Sequence, residues 1–299
     1  MASSKDYLRL HFIVFLWGFS AILGKLISLP TPELVVYRAI LAVAGMGLVM
    51  YFRKQTFSVS GRDLVILLLI GILVASHWIA FFGAGRVGNI SVSLVGFATN
   101  SLWAAFLEPW FNRERIKKYQ VFLGLIVLSG LYIIFSFNFE YKLGLALGIF
   151  AGFSSALFSV FNSRMVKRVS SFAITFYEMI GVFIGGLLFI PIYYTFWAPG
   201  QQVQLVPQDW DWLYLVLLAG GCSVYAYTVA VELMKRISVF MIQLCLNLEP
   251  LYGMAMAVVL FPATEKMPSN FYIGTLVILC AVVSYPLMKK KFEKTVLID

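Results

Sequence analysis

The chain has 299 residues, 61% of them hydrophobic and 12% charged, with a mean hydropathy of +0.88. Soluble domains carry about 45–50% apolar and about 25% charged residues, so these values exclude a soluble globular fold and point to a polytopic membrane protein. The net charge of +9 requires no nucleic-acid partner, because it gathers in loops that would face anionic lipid.

Taken in chain order, candidate membrane spans cover 8–29, 34–52, 62–83, 90–111, 117–136, 142–163, 172–196, 211–233, 239–261 and 269–288. Each approaches the roughly 20 residues of a crossing helix. None shows the short apolar–polar alternation of a barrel strand. The expected fold is therefore an all-α integral membrane protein with ten transmembrane helices. The longest loop, near 198–210, leaves no room for a soluble domain. The N-terminus has a basic start and an apolar run but no small-x-small cleavage site, so it reads as a retained first helix.

Several classes of chemistry find no support. Cys222, Cys245 and Cys280 all fall inside spans, their number is odd, and no CxxC occurs, which argues against a disulfide framework. His11 and His77 are the only histidines, too few for a His-rich metal centre. No GxGxxG, P-loop or HExxH is present, nor a paired Asp, a Ser–His–Asp set or a His cluster. Neither an enzyme, nor a cofactor, nor a metal is expected.

Lys and Arg are concentrated on cytoplasmic loops of membrane proteins. Assigning alternate loops to one side puts 18 of the 23 there, from Lys5 and Arg9 through Arg113, Arg115, Lys117 and Lys118 to Lys289, Lys290, Lys291 and Lys294. The other side keeps Arg86, Lys142 and Lys266, while Lys25 and Arg38 fall within spans. Both termini are thus expected in the cytoplasm, in the plasma (bacterial inner) membrane.

The two halves resemble each other. "GFSA" at 18–21 returns as "GFSS" at 152–155, "VVYRAI" at 35–40 as "TFYEMI" at 175–180, and "GNISVSL" at 88–94 as "KRISVFM" at 235–241. The offsets, 134, 140 and 147, grow in order. In this register Asn100 pairs with Asn247, Trp78 with Tyr225, and Arg38 with Glu178. Five helices per copy is an odd number, so the second copy enters the membrane inverted. The expected repeats are 1–137 and 138–299. Inverted repeats are a common plan of secondary transporters, whose site lies near the midplane between them.

An early "LWG", Lys25, "YR", "ISVSL" and "NRERI" followed by "GLIVLSGLYIIF", then "ISVFMIQLCLNLEPLYG" and "FYIGTLVILCAVV", resemble the EamA-type members of the drug/metabolite transporter superfamily over nearly the whole chain. The resemblance implies ten helices in two inverted five-helix repeats and export of amino acids, other metabolites or drugs. It also implies a cavity lined by helices 3, 4, 8 and 9, with 1 and 6 contributing. The chain departs from the family's pattern at Pro262 and Ala263, where Gly-Glu is usual. Helix 1 lacks the carboxylate through which small multidrug resistance relatives couple protons.

Polar groups within spans face protein or water rather than lipid, and helical spacing sorts them. Helix 3 offers His77, Trp78 and Phe81; helix 4 offers Asn100 and Trp103; helix 8 offers Tyr225 and Thr228; helix 9 offers Gln243 and Asn247. These nine form the expected substrate site, with aromatic walls for cation–π and apolar contact and amides for amino and carboxyl groups. Helix 1 adds Trp17 and Ser20. Helix 6 carries Ser154, Ser155 and Asn162 beside a stripe of Gly144, Gly148 and Gly152, read as interhelix glue. Lys25 and Arg38 lie near span ends, from which they can snorkel.

In "LNLEPLYGM" at 246–254 a carboxylate adjoins a helix breaker. Pro250 frees the carbonyl of Leu246 and is the expected hinge. A charge at mid-bilayer costs about 2.5–3.5 kcal/mol, so Glu249 needs a partner, water or a proton. On a helical wheel Gln243 and Asn247 share one face, and Cys245, Glu249, Tyr252 and Met256 another. Either Glu249, with His77, is a proton-coupling group in the cavity, or it faces a neighbouring helix while Gln243 and Asn247 read the substrate. The repeat register favours the second. The function expected is a secondary active or facilitative transporter exporting a small amphipathic metabolite, foremost amino acids, aromatic ones among them, by alternating access. Its partners would be the small-molecule substrate, the lipid bilayer, and protons or an exchange substrate. An organic-cation or drug efflux carrier using Glu249 is the same-class alternative, and a non-transporting membrane scaffold the alternative from another class.

Overall fold

The computed structural model describes residues 2–135, 141–263 and 268–293. The repeat boundary expected at 137–138, together with Lys266 and Lys294 of the charge count, lies outside the described residues. Among those described, the regular structure is helical throughout. The first half runs α1 (Ser4–Leu26), α2 (Thr31–Phe52), α3 (Gly61–Val87), α4 (Ile90–Phe97), α5 (Asn100–Asn112) and α6 (Lys118–Phe135). The second runs α7 (Lys142–Met165), α8 (Ser171–Phe196), α9 (Asp211–Leu217), a π-helical segment (Leu218–Tyr227), α10 (Thr228–Leu233), α11 (Val239–Leu246), α12 (Glu249–Leu260) and α13 (Ser269–Glu293).

Among the described residues, eight stretches are long and apolar enough to cross a membrane: α1, α2, α3, α4 with α5, α7, α8, α9 through α10, and Ser269–Phe292 of α13. The other two expected spans correspond to α6 and to the interrupted pair α11 and α12. Side chains such as Leu69, Leu188, Leu276 and Val259 point outward, the last 78% exposed. Outside a membrane, apolar area of this kind would be costly.

Polar caps set where helices begin. Ser3 and Asp6 form a reciprocal capping box on α1, and Ser60, Asn89, Ser170 and Ser238 each accept a backbone N–H from the first turn of α3, α4, α8 and α11. These side chains satisfy donors that have no partner inside the helix.

Two expected spans are broken at equivalent places. α4 and α11 are each eight residues long and start 149 residues apart, at Ile90 and Val239; each is followed by a two-residue turn, Ala98–Thr99 and Asn247–Leu248. In the second turn the Asn247 and Leu248 N–H groups donate to the Leu244 and Cys245 carbonyls, a tightened three-residue spacing. Pro250 is therefore not a kink inside one helix. It lies in the first turn of α12, where its missing N–H costs nothing. The first-half break needs no proline: Thr99 donates its N–H and its hydroxyl to the Gly96 carbonyl. It rests on the glycine stripe of α7, where a Cβ on Gly152 would lie 2.7 Å from Thr99 Oγ1 and one on Gly96 2.8 Å from Gly148 Cα. The stripe thus receives the α4–α5 break.

The halves interleave. α3 packs on α7 and α8, α2 on α8 and the π-helical segment, α1 on α12, and α6 on α13. The α3–α8 contact is backbone to backbone: a Cβ on Gly71 would lie 2.2 Å from the Glu178 carbonyl oxygen, and one on Gly181 2.4 Å from that of Leu68. Gly71→Val is expected to lower thermal stability in detergent by about 1–3 kcal/mol or more, the usual cost of overpacking. Gly220→Ala, whose Cβ would meet open space, is expected to stay within about 0.5 kcal/mol. Equal losses in the two variants would contradict this packing.

Candidate functional site

A central cavity lies where α1, α2, α3, α7, the π-helical segment and α12 meet. Its wall carries six aromatic side chains, Trp17, Trp78, Phe81, Phe97, Phe158 and Tyr227, among serines and aliphatic residues. Two side chains of opposite charge share it, Arg38 from α2 and Glu249 from the first turn of α12, each 3% exposed. They act on one another electrostatically. The cavity measures about 60 Å³, room for roughly four to six waters at about 10–15 Å³ each, so a larger guest requires the walls to part.

Arg38 does not snorkel to a surface. Its guanidinium carbon sits 3.5 Å from the centroid of the Trp78 ring and 5.7 Å from that of Phe82, and Nε donates to Ser223 Oγ at 2.8 Å. Ser223 belongs to the π-helical segment, which α1 also grips: Trp17 Nε1 donates to the Cys222 carbonyl at 3.0 Å, and Cys222 Sγ to the Leu16 carbonyl at 3.3 Å. The cation is thus held by three elements. The Glu249 side chain, by contrast, makes no hydrogen bond to any described residue, and it lines the cavity.

His77, Trp78 and Phe81 lie on this wall, as the spacing on helix 3 predicts. His77 Nδ1 stands 2.8 Å from the Ala151 carbonyl. A carbonyl only accepts, so Nδ1 carries the hydrogen and Nε2 is the nitrogen left to titrate. Phe81, Phe97 and Phe158 enclose the imidazole with ring centroids at 6.1, 5.6 and 5.4 Å.

The other six expected site residues do not line the cavity. Tyr225 is 44% exposed and meets Phe12 edge-on, because the wider π-helical turn moves it off the inner face and brings Tyr227 onto it. Thr228 bonds Val224 and Thr175, bracing α10 against α8. Gln243 lies behind the wall, donating to Ser159 Oγ at 2.8 Å and to the Ser155 carbonyl at 3.3 Å. Asn247 donates to Ser101 Oγ at 2.7 Å, tying one break to the first turn of α5. Asn100, fully buried with both side-chain polar atoms unpartnered, and Trp103, edge-on to Phe153, belong to that same junction. The α11–α12 turn ends the helical wheel on which Asn247 and Glu249 looked opposed, so the carboxylate, not the amide, reaches the cavity.

Spacing missed the second polar cluster. Glu178 is fully buried on α8. Tyr227 donates to its Oε2 at 2.6 Å, and Asn162 Nδ2 lies 3.2 Å from the same oxygen and 3.0 Å from the Tyr227 hydroxyl. The signal for it was present: Arg38 and Glu178 are paired by the repeat. Moving the later register from 147 to the observed 149 places Trp78 with Tyr227 and Asn100 with Glu249. One repeat holds a guanidinium against an indole, and the other holds a carboxyl group against a phenol.

Both ends of the bundle are latched. At the basic end Arg168 pairs with Asp63 at 2.6 Å and Arg236 with Asp6 at 3.0 Å. At the opposite end Asp211 accepts from Ser28 N and Oγ at 2.8 and 2.6 Å, and Tyr194 donates to Glu33 at 2.5 Å.

The family model of the EamA-like transporter family matches residues 7–136 and 142–285. A solved structure titled only "Crystal structure of protein" superposes with a TM-score of 0.70 at 17% identity, over 98% of this chain and 100% of that one. At that identity the likeness is one of fold. No curated protein sequence matches the chain significantly.

Tyr227→Phe removes a hydroxyl that donates to a buried carboxylate, and is expected to cost about 1.5–3 kcal/mol. Tyr225→Phe, on the outer face, is expected to stay within about 0.5 kcal/mol. Thermal unfolding of the purified variants measures both, and a reversed order would contradict the placement of the two tyrosines.

Proposed function

The chain belongs to the EamA-like transporter family, and we propose that it is a secondary carrier exporting an amino acid with a large apolar or aromatic side chain. It is an integral multi-pass membrane protein. In this reading it crosses the plasma membrane ten times with both termini in the cytoplasm, as two inverted five-helix repeats.

One observation carries the reading: Arg38 and Glu249 face a single chamber that also presents the rings of Trp17, Trp78, Phe81, Phe97, Phe158 and Tyr227. A zwitterion presents a carboxylate and an ammonium, and opposite charges inside a low-dielectric chamber interact far more strongly than in water. Trp78, Phe81, Phe97 and Phe158 suit the side chain between them. The same pair disfavours the organic-cation alternative, because a net cation gains Glu249 but meets Arg38. A scaffold needs no such chamber. His77 and Glu249 are the candidate groups for proton coupling. Gln243 and Asn247 act here as braces rather than readers of cargo. The latches at the two ends supply what alternating access requires, one set releasing as the other holds. With no nucleotide-binding motif in the sequence, drive comes from a gradient or from exchange.

Flux in proteoliposomes tests this. Arg38→Gln and Glu249→Gln are each expected to lower phenylalanine exchange about tenfold or more, the loss of one charge-assisted contact of about 1.5–3 kcal/mol. Asn247→Ala is expected to lower it less than either. Full flux in folded Glu249→Gln protein, with severe loss in Asn247→Ala, would reverse the assignment.

A further inference from the structure

A carboxyl group stands one side chain behind the central cavity. Glu178 of α8 is fully buried and does not line the chamber, whereas Tyr227 and Asn162, which touch it, do. Its Oε2 accepts from the Tyr227 hydroxyl at 2.6 Å and from Asn162 Nδ2 at 3.2 Å. The second amide hydrogen of Asn162 goes to the Tyr227 oxygen at 3.0 Å. Every polar hydrogen these three side chains own is then spent. Two buried acceptors are left over, Glu178 Oε1 and Asn162 Oδ1. Buried acceptors without donors are costly, and a proton on the carboxyl turns one of the two into a donor.

The ionisable groups on the elements around Glu178 are engaged elsewhere. Arg38 of α2 is held by Trp78 and Ser223, and His77 of α3 by the Ala151 carbonyl. Asp63 of α3 pairs with Arg168, and Glu232 of α10 bonds Ser171 and Lys235. In the π-helical segment, Cys222 donates to Leu16. Among the described residues, Tyr227 is the one titratable group that acts on Glu178 electrostatically. A buried charge without a counter-ion is far costlier than the neutral acid. The backbone at Glu178 is pinned, since a Cβ on Gly71 of α3 would lie 2.2 Å from its carbonyl oxygen. Access to the carboxyl therefore changes through Tyr227 and Asn162. In the repeat register Glu178 stands where the first half has Arg38; the guanidinium keeps its charge, and a carboxyl can switch.

We propose that Glu178, shuttered from the chamber by Tyr227 and Asn162, is a proton-binding site that loads and discharges one proton as the central cavity closes and opens. Loading makes an O–H bond on the carboxyl and turns a chamber hydronium into water. Discharge breaks that bond and returns the proton to chamber water. The site is separate from His77 and Glu249, which line the chamber directly. Coupling of this proton to cargo rests on the carrier reading above; the site itself does not.

Infrared difference spectroscopy of the full-length protein in lipid tests the site without reference to cargo. A change of pH is expected to reveal a protonated-carboxyl C=O stretch that is lost in Glu178→Gln and kept in Glu249→Gln. Tyr227→Phe, which removes the donor to Oε2, is expected to move the band to higher frequency, and it decides the assignment should Glu178→Gln not fold. No band that depends on Glu178 or Tyr227, or a band lost with Glu249→Gln instead, overturns the proposal. Flux then tests the coupling. In proteoliposomes with the membrane potential held at zero, a gradient of about one pH unit is expected to drive phenylalanine accumulation toward about tenfold, the limit for one proton exchanged per cargo molecule. Glu178→Gln is expected to abolish that accumulation and the proton movement read by an internal pH dye. Accumulation that survives in folded Glu178→Gln protein, or that follows a sodium gradient and not a pH gradient, also overturns the proposal. Absence of phenylalanine counterflow in the parent at equal pH would instead be a failure of the cargo reading, with the infrared band still judging the proton site.

Discussion

A guanidinium buried among helices is the constraint around which this bundle is arranged. Removing a charge from water without compensation costs several kcal/mol. Arg38 is compensated by the face of Trp78, the hydroxyl of Ser223 and the field of Glu249. Each of those groups sits on a different element, and each element must arrive in register. α3 must present Trp78 inward, which its glycine contact with α8 permits. The π-helical segment must turn Ser223 toward α2, and its hydrogen bonds to Trp17 and Leu16 fix it against α1. α12 must begin at Glu249, which the turn after α11 ensures.

The second repeat meets the same geometric problem with an acidic group in place of a basic one. Glu178 replaces Arg38, and Tyr227 replaces Trp78. An indole suits a cation because its ring face is electron-rich; a phenol suits a carboxylate because its hydroxyl donates. The helical skeleton is common to both halves, down to two eight-residue helices followed by two-residue turns. The chemistry is in the differences. The third equivalent pair makes the same point: Asn100 remains packed at the α5 junction, whereas Glu249 opens onto the cavity.

Much of the fold was legible because lipid imposes a coarse rule. Apolar length located the helices, and the small-residue stripe of α7 identified a close-packed face. His77, Trp78 and Phe81 were legible too, since α3 is continuous and a helical wheel holds along it. Tyr225, Thr228, Gln243, Asn247, Asn100 and Trp103 were placed by wheels that the backbone interrupts. A π-helical segment changes the residues per turn, and neither glycines nor a proline announce its length. The α4–α5 break has no proline at all and depends on a hydroxyl, Thr99, folding back on Gly96. Arg38 was misjudged for a simpler reason: a span-end arginine can snorkel, and only the position of Trp78 shows that this one does not.

The central assignment is of a cavity that reads both charges of a zwitterion at once. The most direct measurement is counterflow in proteoliposomes containing the parent protein, comparing phenylalanine with its decarboxylated analogue phenethylamine and its deaminated analogue 3-phenylpropionate. Exchange of phenylalanine well above that of either analogue is expected, because each analogue leaves Arg38 or Glu249 unmatched. Phenethylamine carried as fast as phenylalanine, or faster, would contradict the assignment and return the cavity to the organic-cation reading.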